Sequence, residues 1–295
     1  MIRLVTVFVY LTLGAWGAVH ADSSDWRTSP EQPSMSASDM QAVGRAVCGD
    51  GEFNESEGGL ICGRCPEFTG NAGADSGLEI GPPLRGHFSG SGSGEEWIVD
   101  TEGCEAHFAG FGGAIFLVKA DPKPLPGSPS AVLGFRPGAT PSDTPLSLLW
   151  YKPGFRLNDC LILDGDGARS LLVCNEADMA QGEVIGHISA LEISKRDITR
   201  WRLLRWYDNS AANTNMIVSV VPTEMRQVRL DNGQKALHIT MAIVETSRDK
   251  VEKEPGSLAK TVTLTFLRKG QRLFASTESQ QLLGEINLLT GKMLD

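Results

Sequence analysis

From residue 85 onward the chain reads as short apolar runs of strand length, most of them bounded by Gly, Pro, Asn or Asp. "EEWIVDTE", "GGAIFLVKA", "LSLLWYK", "CLILDGDG", "RSLLVCN", "IGHISALEI", "RWRLLRWYD", "NMIVSVVP", "KALHITMAIVE", "KTVTLTFLRKG" and "QRLFAST" are rich in Val, Ile, Leu, Thr and aromatic residues, which suit a pleated surface. Several alternate with the two-residue period of a strand. In "TVTLTFL" the threonines fall on one face and Val262, Leu264 and Phe266 on the other. Helical signals are confined to "SASDMQAVGRAV", with Ser38 placed as a cap, and "QQLLGEINLL" near the C-terminus. The pattern predicts an all-β domain over residues 85–295.

Three units within it share a form. "GHFSGSGSGEEWIVDTEGC", "DCLILDGDGARSLLVCNEA" and "RQVRLDNGQKALHITMAIVE" each combine a short strand, a polar turn and a longer strand. A third strand follows each, and "LSLLWYKPG" and "WRLLRWYDN" add matching aromatic strands just before the next unit. The turns centre near residues 92, 166 and 232. Such a period predicts tandem antiparallel sheets of four strands, propeller-like or barrel-like, although three units are few for a closed propeller. Unrelated hairpins with similar turns are the alternative.

The N-terminal third is different in kind. Residues 1–21 run from one basic residue, Arg3, through an apolar stretch to Val19, His20 and Ala21, the order of a cleavable secretory signal. Residues 22–84 are expected to form a flexible, Cys-containing segment: a Pro/Ser-rich lead-in, then a loop-rich part dense in glycine and acid. The formal net charge is -9, and removing residues 1–21 takes away Arg3 and no acid. An acidic surface repels phosphate backbones and argues against a nucleic-acid partner. No later run is apolar enough to suggest a membrane span in the mature chain. The expected location is secreted or periplasmic.

Export changes how the six cysteines read. An even count outside the cytoplasm implies disulfides. Cys160 and Cys174 stand symmetrically about Gly167, so a hairpin turning there sets them opposite each other. Cys48, Cys62, Cys65 and Cys104 would pair among themselves in an arrangement that spacing leaves open. Cys62-Gly-Arg-Cys65 has redox spacing but lacks the following helix that stabilises a thiolate. A zinc site from these four is disfavoured by export.

The turn "LDGDGARS" resembles the calcium loops of integrin-like FG-GAP and VCBS repeats through Asp164, Gly165, Asp166 and Gly167. Ile162 and Ser170 stand where that pattern has further acids. Calcium wants six to eight oxygens, so the loop reads as an Asp-Gly hairpin turn, with calcium at Asp164 and Asp166 as the alternative and no cofactor expected. More broadly, "TEGCEAHFAGFGG" and "WYKPGFRLNDCLILDGDGARSLLVCNEADMAQG" resemble uncharacterised exported bacterial β-rich proteins. That resemblance implies export and a β-rich fold and carries no activity.

No nucleophile elbow, phosphate-binding glycine loop or zinc-protease helix motif is present. His187 and His238 fall within strand-like runs and read as satisfied structural residues. The candidate binding loops are "DTEGCEAHF" and "CNEADMAQG", which carry Asp100, Glu105, His107, Glu176, Asp178 and Gln181. These features favour an exported, non-catalytic β-repeat module, binding or envelope-associated, with a protein or glycan as ligand. A secreted hydrolase-like enzyme using the acidic loop residues, and a calcium-stabilised adhesion module, are the alternatives.

Overall fold

The computed structural model describes residues 35–49, 53–56, 59–70, 72, 77–90, 94–104, 112–119, 145–157, 159–164, 169–253 and 260–291. The proposed signal, residues 1–21, lies outside them.

The described residues form fifteen strands in two antiparallel sheets. The first contains β1 (Phe53–Ser56), β2 (Gly59–Cys62), β3 (Leu78–Ile80), β4 (Leu84–Gly86), β5 (Glu96–Gly103), β6 (Gly113–Lys119) and β7 (Leu146–Pro153). Its order is β1-β2-β3-β5-β6-β7, and β4 pairs with β5 along the edge that β3 also uses. The second sheet is an unbroken meander of eight strands: β8 (Cys160–Leu163), β9 (Leu171–Ala180), β10 (Glu183–Ile193), β11 (Ile198–Asp208), β12 (Met216–Arg229), β13 (Lys235–Ser247), β14 (Lys260–Lys269) and β15 (Arg272–Ala275). Three helices accompany them: α1 (Ala37–Cys48), α2 (Arg248–Lys253) and α3 (Thr277–Gly291). Among the described residues no helix is long and apolar enough to cross a membrane.

Alternation along the strands shows how the sheets stack. On β5 and β6, Trp97, Val99, Ile115 and Leu117 pack under α1 with Val43 and Val47, while Ile98, Ala114 and Phe116 face the second sheet. There they meet Leu172 and Cys174 of β9 and Leu191 and Ile193 of β10. The opposite faces of β9 and β10 (Leu171, Val173, Ile188, Ala190) enter a third cluster with Leu237, Ile239, Leu264 and Phe266 of β13 and β14.

The second sheet reaches that arrangement by folding over. β11 and β12 pair only at Tyr207–Val220 and Asp208–Ser219, so the strands splay beyond that point. Buried Asn209 secures the bend, accepting from Val218 N at 2.8 Å and donating to Met216 O at 3.1 Å. At the far end Asp164 and Gln227 exchange two hydrogen bonds, of 3.2 and 3.3 Å, and Arg268 donates to Leu163 O at 2.7 Å. Helix α3 packs against β11, β12, β14 and β15 with Ile286 buried in the core. The Ser279 hydroxyl accepts from Thr265 N at 2.7 Å.

The three units expected from the sequence are the meanders β4–β7, β8–β11 and β12–β15. The second and third share one sheet, and both sheets end in free edge strands instead of closing. The described strands therefore form stacked layers, without a ring of blades or a closed barrel. The turn centres near 92 and 166 lie outside the described residues.

The glycine- and acid-rich N-terminal segment contributes more than loops. It supplies α1 and β1–β3, with Val43, Val47, Leu60, Leu78 and Ile80 buried. Its few apolar residues suffice because Cys48–Cys62 ties α1 to β2 within it and Cys65–Cys104 ties it to the end of β5. The cap of α1 is Ser36, two residues before the Ser38 expected from the sequence, and its hydroxyl accepts from Asp39 N at 3.2 Å. Cys160 and Cys174 are bonded, at directly paired positions of β8 and β9.

The contact between the sheets gives a test. Phe116 is fully buried between them, whereas Leu149 on edge strand β7 is 39% exposed. We expect Phe116→Ala to lower unfolding stability by about 3–5 kcal/mol in urea titrations. Leu149→Ala should cost well under about 1 kcal/mol.

Candidate functional site

Beyond the edge of the first sheet, the face of β9–β11 that it covers changes from apolar to polar. Along β9 the inward residues run Leu172, Cys174, then Glu176 and Asp178; along β10 they run Leu191, Ser189, His187. Register sets Glu176 beside His187 and His187 beside Arg205, with Ser189 beside Arg202. The sheet–sheet core ends here and a charged surface begins.

The segment after β7, Gly154–Leu157, closes this border. Gly154 N donates to Gly112 O at 2.8 Å, and Leu157 N to the Asp100 carboxylate at 2.7 Å. Gly112 has φ of +83°, and a Cβ there would stand 2.6 Å from Phe155 O, so only glycine fits. The Arg200 guanidinium lies 4.4 Å from the Phe155 ring centre and donates to Gly154 O and to Glu176, each at 2.7 Å. Arg156 donates to Ala177 O at 3.2 Å and approaches Asp178 to 3.9 Å. The Gly-Gly and Tyr-x-Pro-Gly elements of the exported-protein pattern thus meet at one place.

Of the residues singled out in the sequence, Asp100, Glu176 and Asp178 converge on this segment. Asp100 belongs to β5, and Glu176 and Asp178 to β9, none of them to a loop, and the Asp100 carboxylate holds a backbone amide. Gln181 sits apart in the β9–β10 turn, with φ of 54° followed by Gly182 at 82°. Glu105, His107 and Asp166 lie outside the described residues. Asp164 is described, and its carbonyl accepts from Gln227 and from the Lys235 ammonium, both at 3.3 Å.

The sequence reading missed the basic side. Arg156, Arg200, Arg202 and Arg205 gather around His187, two of them paired with acids. Arg202 is exposed and Arg205 half-buried. Neither makes a hydrogen bond or ion pair among the described residues, and the Arg205 Nε is shielded from solvent with no partner. His187, read as a satisfied structural histidine, likewise has no hydrogen-bond partner among the described residues. The signal was present in "TRWRLLRW", but 202 and 205 are an odd number apart and would normally face opposite ways. The β10–β11 register shifts between Ile188 and Ser189, leaving Leu203 as an extra residue. That bulge turns both arginines to one side.

Burial and charge perturb the two titrating groups in opposite senses. Glu176, with a side chain only 13% exposed, is raised by desolvation, which outweighs the stabilising Arg200, Ser189 and Arg156. The Ser189 hydroxyl is fully buried and lies close enough to favour the carboxylate, but out of hydrogen-bonding geometry. His187 is lowered, first by desolvation and then by Arg202, Arg205 and Arg200, with Asp178 opposing. His187 thus resists protonation, whereas Glu176 takes a proton more readily than an ordinary carboxylate. A cavity of about 560 Å³ lies elsewhere, at the C-terminal end of α1, lined by Val47, Cys48, Arg64, Cys65 and Phe68 among others. Among the described residues no three of His, Cys, Asp or Glu are grouped to hold a metal ion.

The lowered His187 gives a pH test. A histidine whose folded pKa lies below its unfolded value stabilises the fold above the unfolded value, and that contribution is lost as pH falls through the folded one. The raised Glu176 acts oppositely, favouring the fold as it takes a proton. Comparing urea stability at about pH 7.5 and about pH 5, either side of the ordinary histidine value, we expect His187→Gln to lose less on acidification than the parent. Glu176→Gln should lose more. No protein-family model matches this chain, and comparison with curated proteins and with solved structures returns no match either, so what this face binds is argued from its own geometry.

Proposed function

We propose that this protein is a non-catalytic binding module of an oxidising compartment outside the cytoplasm, secreted or envelope-associated, that recognises its ligand through the β9–β11 face. One observation carries the reading: among the described residues Arg202 and Arg205 have no ion-pair or hydrogen-bond partner and stand beside His187 on one surface, while the neighbouring Glu176 and Asp178 are engaged by Arg200 and Arg156. The shielded Nε of Arg205 is costly to leave without an acceptor, and guanidinium groups held by a rigid sheet suit recognition of an outside partner. The three disulfides support the compartment, because such bonds persist where thiols are not kept reduced. The ligand class that fits is a glycan bearing acidic groups.

The hydrolase-like alternative has less support. Its carboxylates at 100 and 176 are occupied by Leu157 N and Arg200. The module needs no cofactor. A calcium ion at Asp164 would meet the Lys235 ammonium on the same carbonyl, and like charge disfavours it.

On an array of neutral and acidic saccharides, we expect the protein to retain a subset containing acidic members. The double reversal Arg202→Glu/Arg205→Glu should abolish retention at unchanged circular dichroism. Absence of retention, or retention indifferent to the reversal, contradicts the reading. Added Ca²⁺ should leave the melting temperature unchanged. A rise that disappears in Asp166→Ala would reinstate the calcium-stabilised module.

A further inference from the structure

We propose that the open part of the β9–β11 face, formed by Arg202, Arg205 and His187, is a site for a doubly charged phosphate group, borne on a sugar or free. The inference rests on the binding-module reading above and names the chemistry of its ligand.

Local charge comes first. Around this face stand four guanidinium groups and the carboxylates of Glu176 and Asp178, with the Asp100 carboxylate at its border holding Leu157 N. Arg200 is paired with Glu176 at 2.7 Å, and Arg156 lies 3.9 Å from Asp178. Two positive charges, on Arg202 and Arg205, remain without a counter-charge among the described residues. A phosphate monoester carries between about -1.5 and -2 at neutral pH and offers three acceptor oxygens, so its charge matches that excess.

Geometry comes second. Arg202 and Arg205 reach the same face only because the bulge at Leu203 offsets the register between Ile188 and Ser189. Bulges of this kind re-aim side chains. The cross-strand partners of the two arginines are Ser189 and His187, so donors from two adjacent strands line one patch. Guanidinium forks bind phosphate oxygens in pairs, with stronger and more directional bonds than an ammonium gives.

The third observation is unmet demand. Among the described residues the Arg205 Nε is shielded from solvent and lacks a hydrogen-bond partner, whereas the buried Ser189 hydroxyl lies near the Glu176 carboxylate. Ser189 itself is fully buried. A shielded donor without an acceptor is a cost that an incoming oxyanion removes for Arg205. Polar groups in this state are uncommon in native structures and call for a reason.

His187 supplies a built-in reporter. Burial and the three arginines of β11 disfavour its charged form, Asp178 of β9 favours it, and Arg156 and Glu176 complete the charged surroundings. A dianion seated between Arg202 and Arg205 reverses the local field. The imidazole then accepts a proton and becomes a further donor to the ligand.

The test is an NMR titration of the His187 imidazole in the full-length protein, in phosphate-free chloride buffer. Inorganic phosphate, glucose 6-phosphate and glucose are added in separate arms. We expect both phosphates to move the His187 titration upward and glucose to leave it unchanged, with His238 on β13 as an internal control. Arg202→Ala, at an exposed position, should weaken phosphate binding roughly tenfold or more, the loss of a charge-assisted hydrogen bond. Arg205→Lys should keep part of the affinity, since charge remains without the fork. Tighter binding of glucose 6-phosphate assigns the group to a sugar, and equal binding assigns free phosphate. An unmoved His187, or a shift of undiminished affinity in Arg202→Ala, overturns the site. If saccharide retention still depends on Arg202 and Arg205 while phosphate leaves His187 unmoved, the phosphate inference falls and the binding face stands. If both measurements fail, both fall.

Discussion

Leu171, Leu172, Val173 and Cys174 are four consecutive residues of a strand, all shielded from solvent. A strand meets that condition only when both faces of its sheet are covered, because successive side chains point opposite ways. The fold follows from satisfying it. One face of β9 and β10 is covered by the first sheet through Ile98, Phe116 and Trp150. The other is covered by the second sheet itself, which bends back at the short β11–β12 pairing and brings Leu237, Ile239 and Leu264 across. Helix α1 covers the outer apolar face of the first sheet, and α3 inserts Ile286 into the core that the folded second sheet encloses. The result is a stack in which the middle layer is made by β8–β11.

The charged face exists because the middle layer is longer than its cover. β9 and β10 are ten and eleven residues long, and the first sheet shields only their Leu172 and Leu191 ends. At the boundary, Gly154–Leu157 turns back over the sheet, held by Gly112 O and Asp100. Arg200 and Arg156 fasten it to Glu176 and Ala177. These contacts anchor the cover and neutralise the acids. What remains on the surface is the excess of basic groups on β11. In a chain of net charge -9, that local reversal of sign marks the face as different from its surroundings.

Much of the architecture was legible in the sequence. The strands follow from alternation and from the residues that bound them, and the symmetry of Cys160 and Cys174 foretold their bond, whereas the described strands lie in sheets of seven and eight and not in the expected sheets of four. What alternation does not encode is the partner of a face. "AIFLV" says that β6 is covered on both sides but not by which layers, so the division into two sheets and the folding of the second stayed hidden. Four cysteines offer several pairings, and only the placement of α1 against β2 selects Cys48–Cys62. At the site, Asp100, Glu176 and Asp178 were found because acids near turns are conspicuous. Arg202 and Arg205 were not, because their spacing places them on opposite faces until the bulge at Leu203 is known. The unpartnered state of His187 depends on neighbours from β11, which no local pattern reveals.

The central claim is that β8–β11 form a middle layer shared by both cores, so that neither sheet keeps its structure without it. Native-state hydrogen exchange in low denaturant tests this directly. The account predicts that the amides of Leu172–Cys174 and Ile188–Leu191 are the slowest to exchange, and that β5–β6 and β13–β14 lose protection together with them in one global unfolding event. Exchange of β5–β6 through a separate opening, while β9, β10 and β13 stay protected, would contradict it.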